Sequence, residues 1–257
     1  MDEPNARRIP AAATVDLERY DAVLFDLDGV LTSTASLHTA CWKHVFDDFL
    51  ARTAQRTGEA QAPFDAGADY LRYVDGKPRA AGVRDFLASR GIALPEGAHD
   101  AAPGDDSIQA VANSKQVLVA HELEAGNVEA FPGSVAWVHE LHERGVKTAV
   151  VSSSENCRAV LAAAGIDDLF DVVVDGSDAR ELGLPGKPAP DMFLEAARRI
   201  GVEPARAVVV EDALAGVEAG RAGGFGLVIG VARTAAPEDL VEHGADIVVS
   251  DLEELLR

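Results

Sequence analysis

Residues 22–30 read Ala-Val-Leu-Phe-Asp-Leu-Asp-Gly-Val, and the fold is decided there. The run Ala22–Leu27 is short and almost wholly apolar, the pattern of a strand covered on both faces. Alternation along that strand sets Asp26 and Asp28 on one side where the sheet stops. Gly29 then permits a sharp turn. Comparable runs recur at Lys147–Val151, Phe170–Val174, Ala207–Val210, Gly226–Val231 and Asp246–Val249. Helical patterns separate them at Ser134–Arg144, Glu155–Ala164, Asp191–Ile200 and Ala213–Arg221. Strand–helix alternation of this kind implies right-handed crossovers and an α/β fold with a doubly wound parallel sheet.

The first strand stands far from the second, much farther than a crossover of about a dozen residues requires. The stretch between is mostly helical in pattern, with apolar spacing in Leu37–Leu50 and Asp106–Leu123 and expected loops at Ala54–Pro63 and Gly97–Asp105. We therefore expect two units: an α/β core from residues 1–33 and 131–257, and an inserted α-helical domain at 34–130.

The chain has 257 residues and a formal charge of −20. An acidic balance argues against nucleic acid or an anionic membrane face as partner. It also means that an anionic substrate needs a locally positive site built from lysine, arginine or a bound cation. No apolar run approaches a membrane span, and the first residues lack the apolar core of a secretory leader. Cys41 and Cys157 are too few for a disulfide framework or a zinc site and read as small packing residues. The cytoplasm is the expected address.

Three segments give the Asp26/Asp28 pair company. Ser152-Ser153-Ser154 follows the strand Lys147–Val151, and its simplest structural role is a helix N-cap. Lys187 stands in Gly-Lys-Pro-Ala-Pro-Asp, where Asp191 is placed to cap the next helix. Ala207–Val210 runs into Glu211-Asp212, a second acidic pair at a strand end, suited to a hard cation such as Mg²⁺. Other motifs are missing: there is no GxGxxG, no P-loop spacing and no GxSxG elbow. His139 and His142 read as an exposed helix face.

In order, DxDGV, a strand ending in Ser, Lys-Pro-x-Pro-Asp and a strand ending in Glu-Asp before AGVEAGRAG resemble the haloacid dehalogenase superfamily of phosphotransferases. The resemblance implies that Asp26 is the nucleophile forming an aspartyl-phosphate and Asp28 the general acid/base. Ser152 and Lys187 would hold the transferring phosphoryl group. Mg²⁺ would sit among Asp26, Asp28, Glu211 and Asp212, anchored by the last two.

The stretch DLDGVLTSTASLHTACWK is further similar to the beta-phosphoglucomutase-like subfamily. That similarity implies substrate contacts from Thr34, His38 and Trp42. It also assigns Arg79, in Gly76-Lys77-Pro78-Arg79, to the non-transferring phosphate. Lys115, in Asn113-Ser114-Lys115, would reach the active site, while Ser154 and Asn156 would contact the distal phosphate.

Two positions depart from the pattern: Glu155 stands where a lysine is usual, and Ala213 where a serine is common. The inserted domain is also longer than usual around 54–63 and 91–106. The function implied is conversion of beta-glucose 1-phosphate to glucose 6-phosphate through a bisphosphate, by a monomer acting on a small phosphorylated sugar. A phosphatase would use the same residues and let water take the phosphoryl group. A non-catalytic binding protein on this fold has no chemical need for Asp26, Asp28, Lys187, Glu211 and Asp212 together.

Overall fold

The computed structural model describes residues 15–124 and 128–257. Residues 1–14, where no leader is expected, lie outside the described residues. Six strands, β1 (Ala22–Phe25), β2 (Lys147–Val151), β3 (Val172–Val174), β4 (Ala207–Glu211), β5 (Leu227–Val231) and β6 (Ile247–Val249), form one sheet. Every pairing is parallel and the order is β3-β2-β1-β4-β5-β6, with Ala22 registered against Lys147 on one side and Ala207 on the other.

After β1 come α1 (Ala35–Thr57), α2 (Arg79–Ser89) and α3 (Ile108–Glu124), which make up the helical insertion. The sheet is flanked by α4 (Pro132–Glu143), α5 (Cys157–Ala163), α6 (Gly176–Leu182), α7 (Asp191–Ile200), α8 (Leu214–Ala222) and α9 (Pro237–His243).

Continuous apolar strands follow from burial on both faces. Val23 and Phe25 pack with Val150, Val208 and Val210 against Trp137 and Leu141 of α4 and Val160 of α5. Ala22 and Leu24 point the other way, with Ala149, Val151 and Val209, onto Met192 and Phe193 of α7. Phe25 meets Trp137 edge-on, ring centroids 5.6 Å apart, a favoured aromatic geometry.

The segment between β1 and β2 has an apolar core of its own, in which Phe46 lies 4.2 Å from Phe86 and 5.0 Å from both Trp42 and Phe64 between ring centroids. It joins the sheet through two paired connections: Ser33 N donates to Glu129 O, and Phe131 N to Leu31 O, both at 2.9 Å.

Several local expectations need correction. Helix α1 continues through Ala54–Thr57, expected as loop, because Ala54, Gln55 and Arg56 are good helix formers that extend it without a buried face. Gly58, at φ 77°, ends it. Asp191 is the first helical residue of α7, not its cap, and there its charge still favours the helix N-terminus. None of the three serines caps α5, which starts at Cys157; Ser152 and Ser154 instead accept the backbone N–H two residues on, at 3.1 Å each. Strand β3 begins at Val172 rather than Phe170, and β4 includes Glu211. A π-helical turn, Tyr70–Val74, adds an element that apolar spacing did not signal.

Candidate active site

In open α/β sheets ligands bind at the carboxyl edge, where the strand order switches direction. Here that point lies between β1 and β4, and both acidic pairs stand on it. Asp26 remains paired to the sheet, its N–H donating to Val210 O at 2.9 Å. Gly29, at φ 84°, turns the chain so closely over Asp212 that a Cβ would collide with its carboxylate.

Lys187 is fully buried and donates to Asp26 Oδ1, to Glu211 Oε1 at 2.6 Å and to Val151 O at 3.0 Å. Burial alone would lower its pKa, but Asp26 and Glu211 outweigh that and hold it above the usual lysine value. Glu211 turns its other oxygen to the N–H groups of Asp212 and Ala213, at 3.0 and 3.1 Å. Burial pushes Asp26 and Asp212 well above the carboxylate range, and the neighbouring acids add to it.

Ligand oxygens of Asp26, Glu211 and Asp212 lie within 4.8 Å of one another. Three carboxylates against one ammonium leave two formal negative charges. Oxygen donors with that surplus fit a hard divalent cation. The fourth expected ligand, Asp28, points elsewhere: its carboxylate accepts from Thr34 Oγ1 and lies 3.1 Å from His38 Nε2.

Asp28 belongs to a second group. Lys115 Nζ donates to His38 Nδ1 at 2.7 Å, which leaves Nε2 to carry the proton toward Asp28. Burial acts to raise the Asp28 pKa, but His38, Thr34 and Lys115 together hold it well below the usual range. Burial lowers Lys115 to about 8. The Lys115 ammonium also sits over the Trp42 ring, 5.5 Å from its centroid.

The two groups face one cavity of about 70 Å³, lined among others by Asp26, Asp28, His38, Trp42, Arg79, Lys115, Ser152, Ser154 and Asp212. Arg79 donates to Gln116 Oε1 and, at 2.7 Å, to Glu155 Oε2. Asn156 pairs with Gln116. All expected site residues therefore gather at this edge except Asn156, which reaches it only through Gln116 and Arg79.

Asp75 and Gln116 were not anticipated. Asp75 lines the cavity with a buried oxygen that has no hydrogen-bond partner among the described residues; burial and the Glu211 and Asp28 charges raise it to about 7. Its place just before Gly76-Lys77-Pro78-Arg79, and that of Gln116 just after Lys115, are the only signals the chain offers for them. Gly76 packs against Ala213, a contact in keeping with alanine in place of serine there, and its carbonyl accepts from Ser153 Oγ at 2.9 Å.

Cys41 and Cys157 are buried and unpaired, their thiols pushed up by burial, and His139 and His142 are exposed.

The family model for haloacid dehalogenase-like hydrolases matches residues 20–224, and the chain belongs to that family. Within it the chain falls in the beta-phosphoglucomutase-like branch and is an enzyme, a phosphomutase or a phosphatase. It is 50% identical over 242 residues to beta-phosphoglucomutase of Mycobacterium bovis, covering 93% of this chain and 92% of that one. The Mycobacterium tuberculosis beta-phosphoglucomutase gives the same 50% identity and the same coverage, 93% and 92%. The crystal structure of a beta-phosphoglucomutase from Clostridium difficile shares the fold, with a TM-score of 0.70 at 24% identity over 92% of this chain and 93% of that one. No helix among the described residues is long and apolar enough to cross a membrane.

Proposed function

We propose that the chain is a Mg²⁺-dependent phosphomutase that converts beta-glucose 1-phosphate to glucose 6-phosphate through a bisphosphate. The observation that carries this reading is one cavity lined at one end by Asp26, which Lys187 pairs from behind on the sheet edge, and at the other by Arg79 of the helical insertion. The mycobacterial relatives, similar over more than nine-tenths of both chains, support it.

In this reading Asp26 attacks phosphorus, so that an Oδ–P bond forms as the sugar O–P bond breaks. Lys187 balances the charge of Asp26 throughout, and Ser152, at the end of β2, helps to hold the phosphoryl group. Asp26, Glu211 and Asp212 would hold Mg²⁺, which when bound neutralises phosphoryl oxygens against the attacking carboxylate.

Asp28 stands as a carboxylate, the form that takes the proton from the sugar's 6-hydroxyl when that oxygen attacks the aspartyl-phosphate. Once protonated, it returns the proton to the leaving 1-oxygen in the reverse-facing half-reaction. Thr34 and the His38–Lys115 pair hold it in register. Trp42 lines the same wall, while Arg79, with Ser154 and Asn156 beside it, takes the phosphate that is not transferred. An arginine fork suits that task.

A cavity of about 70 Å³ is far smaller than the several hundred Å³ of a typical small-ligand pocket. We therefore read residues 34–130 as a cap domain that opens for the sugar and closes to exclude water. The same reading takes a small phosphosugar as the sole partner, with the chain a cytoplasmic monomer; buried, unpaired Cys41 and Cys157 suit a reducing compartment.

The test is incubation with beta-glucose 1-phosphate, magnesium and a trace of glucose 1,6-bisphosphate. Glucose 6-phosphate is the expected product. Inorganic phosphate alone would overturn the mutase in favour of a phosphatase.

A further inference from the structure

Glu155, the acid that stands where the family has a lysine, meets cations from both units of the molecule. Its Oε2 accepts from Arg79 Nη2 at 2.7 Å. Its Oε1 accepts from Arg180 Nη1 at 2.6 Å and lies 3.0 Å from His99 Nε2. Arg180 belongs to α6 beside the sheet, whereas Arg79 opens α2 and His99 rides on the long segment 92–107. That segment is fastened to the insertion. Asn113 Nδ2 donates to His99 O and Ala101 O at 2.9 and 2.8 Å, and Asp105 pairs with Arg52 and Arg56 at 3.4 and 3.2 Å.

Arg79 is incompletely served by this arrangement. Its Nη1 goes to Gln116 and its Nη2 to Glu155, while Nε is buried with no partner among the described residues. The Nε–Nη2 edge is the one that grips two oxygens of a planar or tetrahedral oxyanion. Glu155 fills half of it.

We propose that Glu155 is a built-in counter-ion: it occupies Arg79 while the cavity is empty and yields the Nε–Nη2 edge to the substrate's non-transferring phosphate. The inference rests on Arg79 being the clamp for that phosphate. A buried guanidinium without any anion is costly, and Glu155 removes that cost in the empty chain. A phosphate carries more charge than a carboxylate and can engage both donors, so it displaces the carboxylate from Arg79. Glu155 need not travel into solvent, because Arg180 already holds its other oxygen. The segment 92–107 carries His99 to the same place, where its Nε2 lies 2.7 Å from Arg180 Nη1 and 3.0 Å from Glu155 Oε1 and serves one of them at a time, since a ring nitrogen either accepts or donates. Glu155 is a positioning residue that sets a threshold, favouring substrates whose distal group is a phosphate over those with a hydroxyl there.

The test compares KM for beta-glucose 1-phosphate with KM for acetyl phosphate, which has no distal phosphate. Glu155→Gln should lower KM for the phosphosugar by about three- to tenfold, the worth of one partly exposed ion pair, and move KM for acetyl phosphate little. Glu155→Asp, too short to hold both sides, should shift KM the same way and guards against a Gln variant that misfolds. In an Arg79→Ala background neither substitution should matter. A KM that stays or rises in the Glu155 variants, with Arg79→Ala still harmful, overturns the counter-ion and makes Glu155 a support for Arg79. If Arg79→Ala itself leaves the phosphosugar KM alone, it is the clamp reading that fails.

Discussion

The two ends of the cavity are built differently. At the sheet edge Asp26, Lys187, Glu211 and Asp212 come from strands and loops of one packed core, and Lys187 and Glu211 have no exposed side-chain surface at all. At the far end Arg79 and Gln116 come from the helical segment after β1 and bond to each other there, while Arg79–Glu155 and Gln116–Asn156 reach across to the chain after β2. A rigid edge is suited to chemistry, which requires groups fixed in advance. A seam between units is suited to sensing whether the right ligand has arrived.

The comparison predicts graded losses. Asp26→Asn removes the nucleophile and should cut turnover by about 10⁴-fold or more, as loss of a nucleophile does elsewhere, while circular dichroism reports an intact fold; activity within tenfold of the parent would break the assignment. Stripping divalent metal with a chelator should abolish turnover, and added magnesium should restore it, because Asp26, Glu211 and Asp212 cluster as oxygen ligands around one point and a bound cation is what favours their ionised forms.

Asp28→Ala should slow conversion of the phosphosugar by about 10²–10⁴-fold, whereas Arg79→Ala should raise KM for the phosphosugar alone by about tenfold to a hundredfold. Equal effects of Arg79→Ala on phosphosugar and acetyl phosphate would erase the distinction between the ends.

The smallest effect concerns pH. Burial lowers Lys115 to about 8 in the folded chain, against about 10.4 when unfolded. Between those values the unfolded chain binds the extra proton, so Lys115 makes stability rise with pH there and weighs against folding below it. The contribution is on the order of 3 kcal/mol at most. Denaturant titrations from pH 8 to about 10.4 should show that rise in the parent and lose part of it in Lys115→Met; identical slopes would show that Lys115 stays charged throughout.

What was legible in the amino-acid order follows the same division. Strand runs such as Ala207–Val210 are apolar because both faces are covered, and the acids at their ends break that pattern visibly. The order of residues alone therefore suffices to place Asp26, Asp28, Glu211 and Asp212 at one edge, whereas Lys187, in a loop, is assigned there by the family resemblance. That order does not suffice for His99, Gln116 and Arg180. Each looks like an ordinary solvated residue along the chain, and each has a partner across the seam, at separations in sequence that no local pattern encodes.

Asp28 is the mixed case. Its position at the sheet edge was readable, but its partners Thr34 and His38 turn its carboxylate away from the three-acid group. Helix α1 outruns its apolar spacing because its last turns leave the buried face behind at Leu50.

The account depends above all on a covalent phosphate at Asp26. Incubation with acetyl phosphate and magnesium, followed by borohydride reduction and peptide mass mapping, reads that bond directly, since an aspartyl-phosphate is reduced to homoserine. The account predicts homoserine at position 26 and none in Asp26→Asn. Full turnover with no reduced residue, or reduction at another carboxylate, would contradict it.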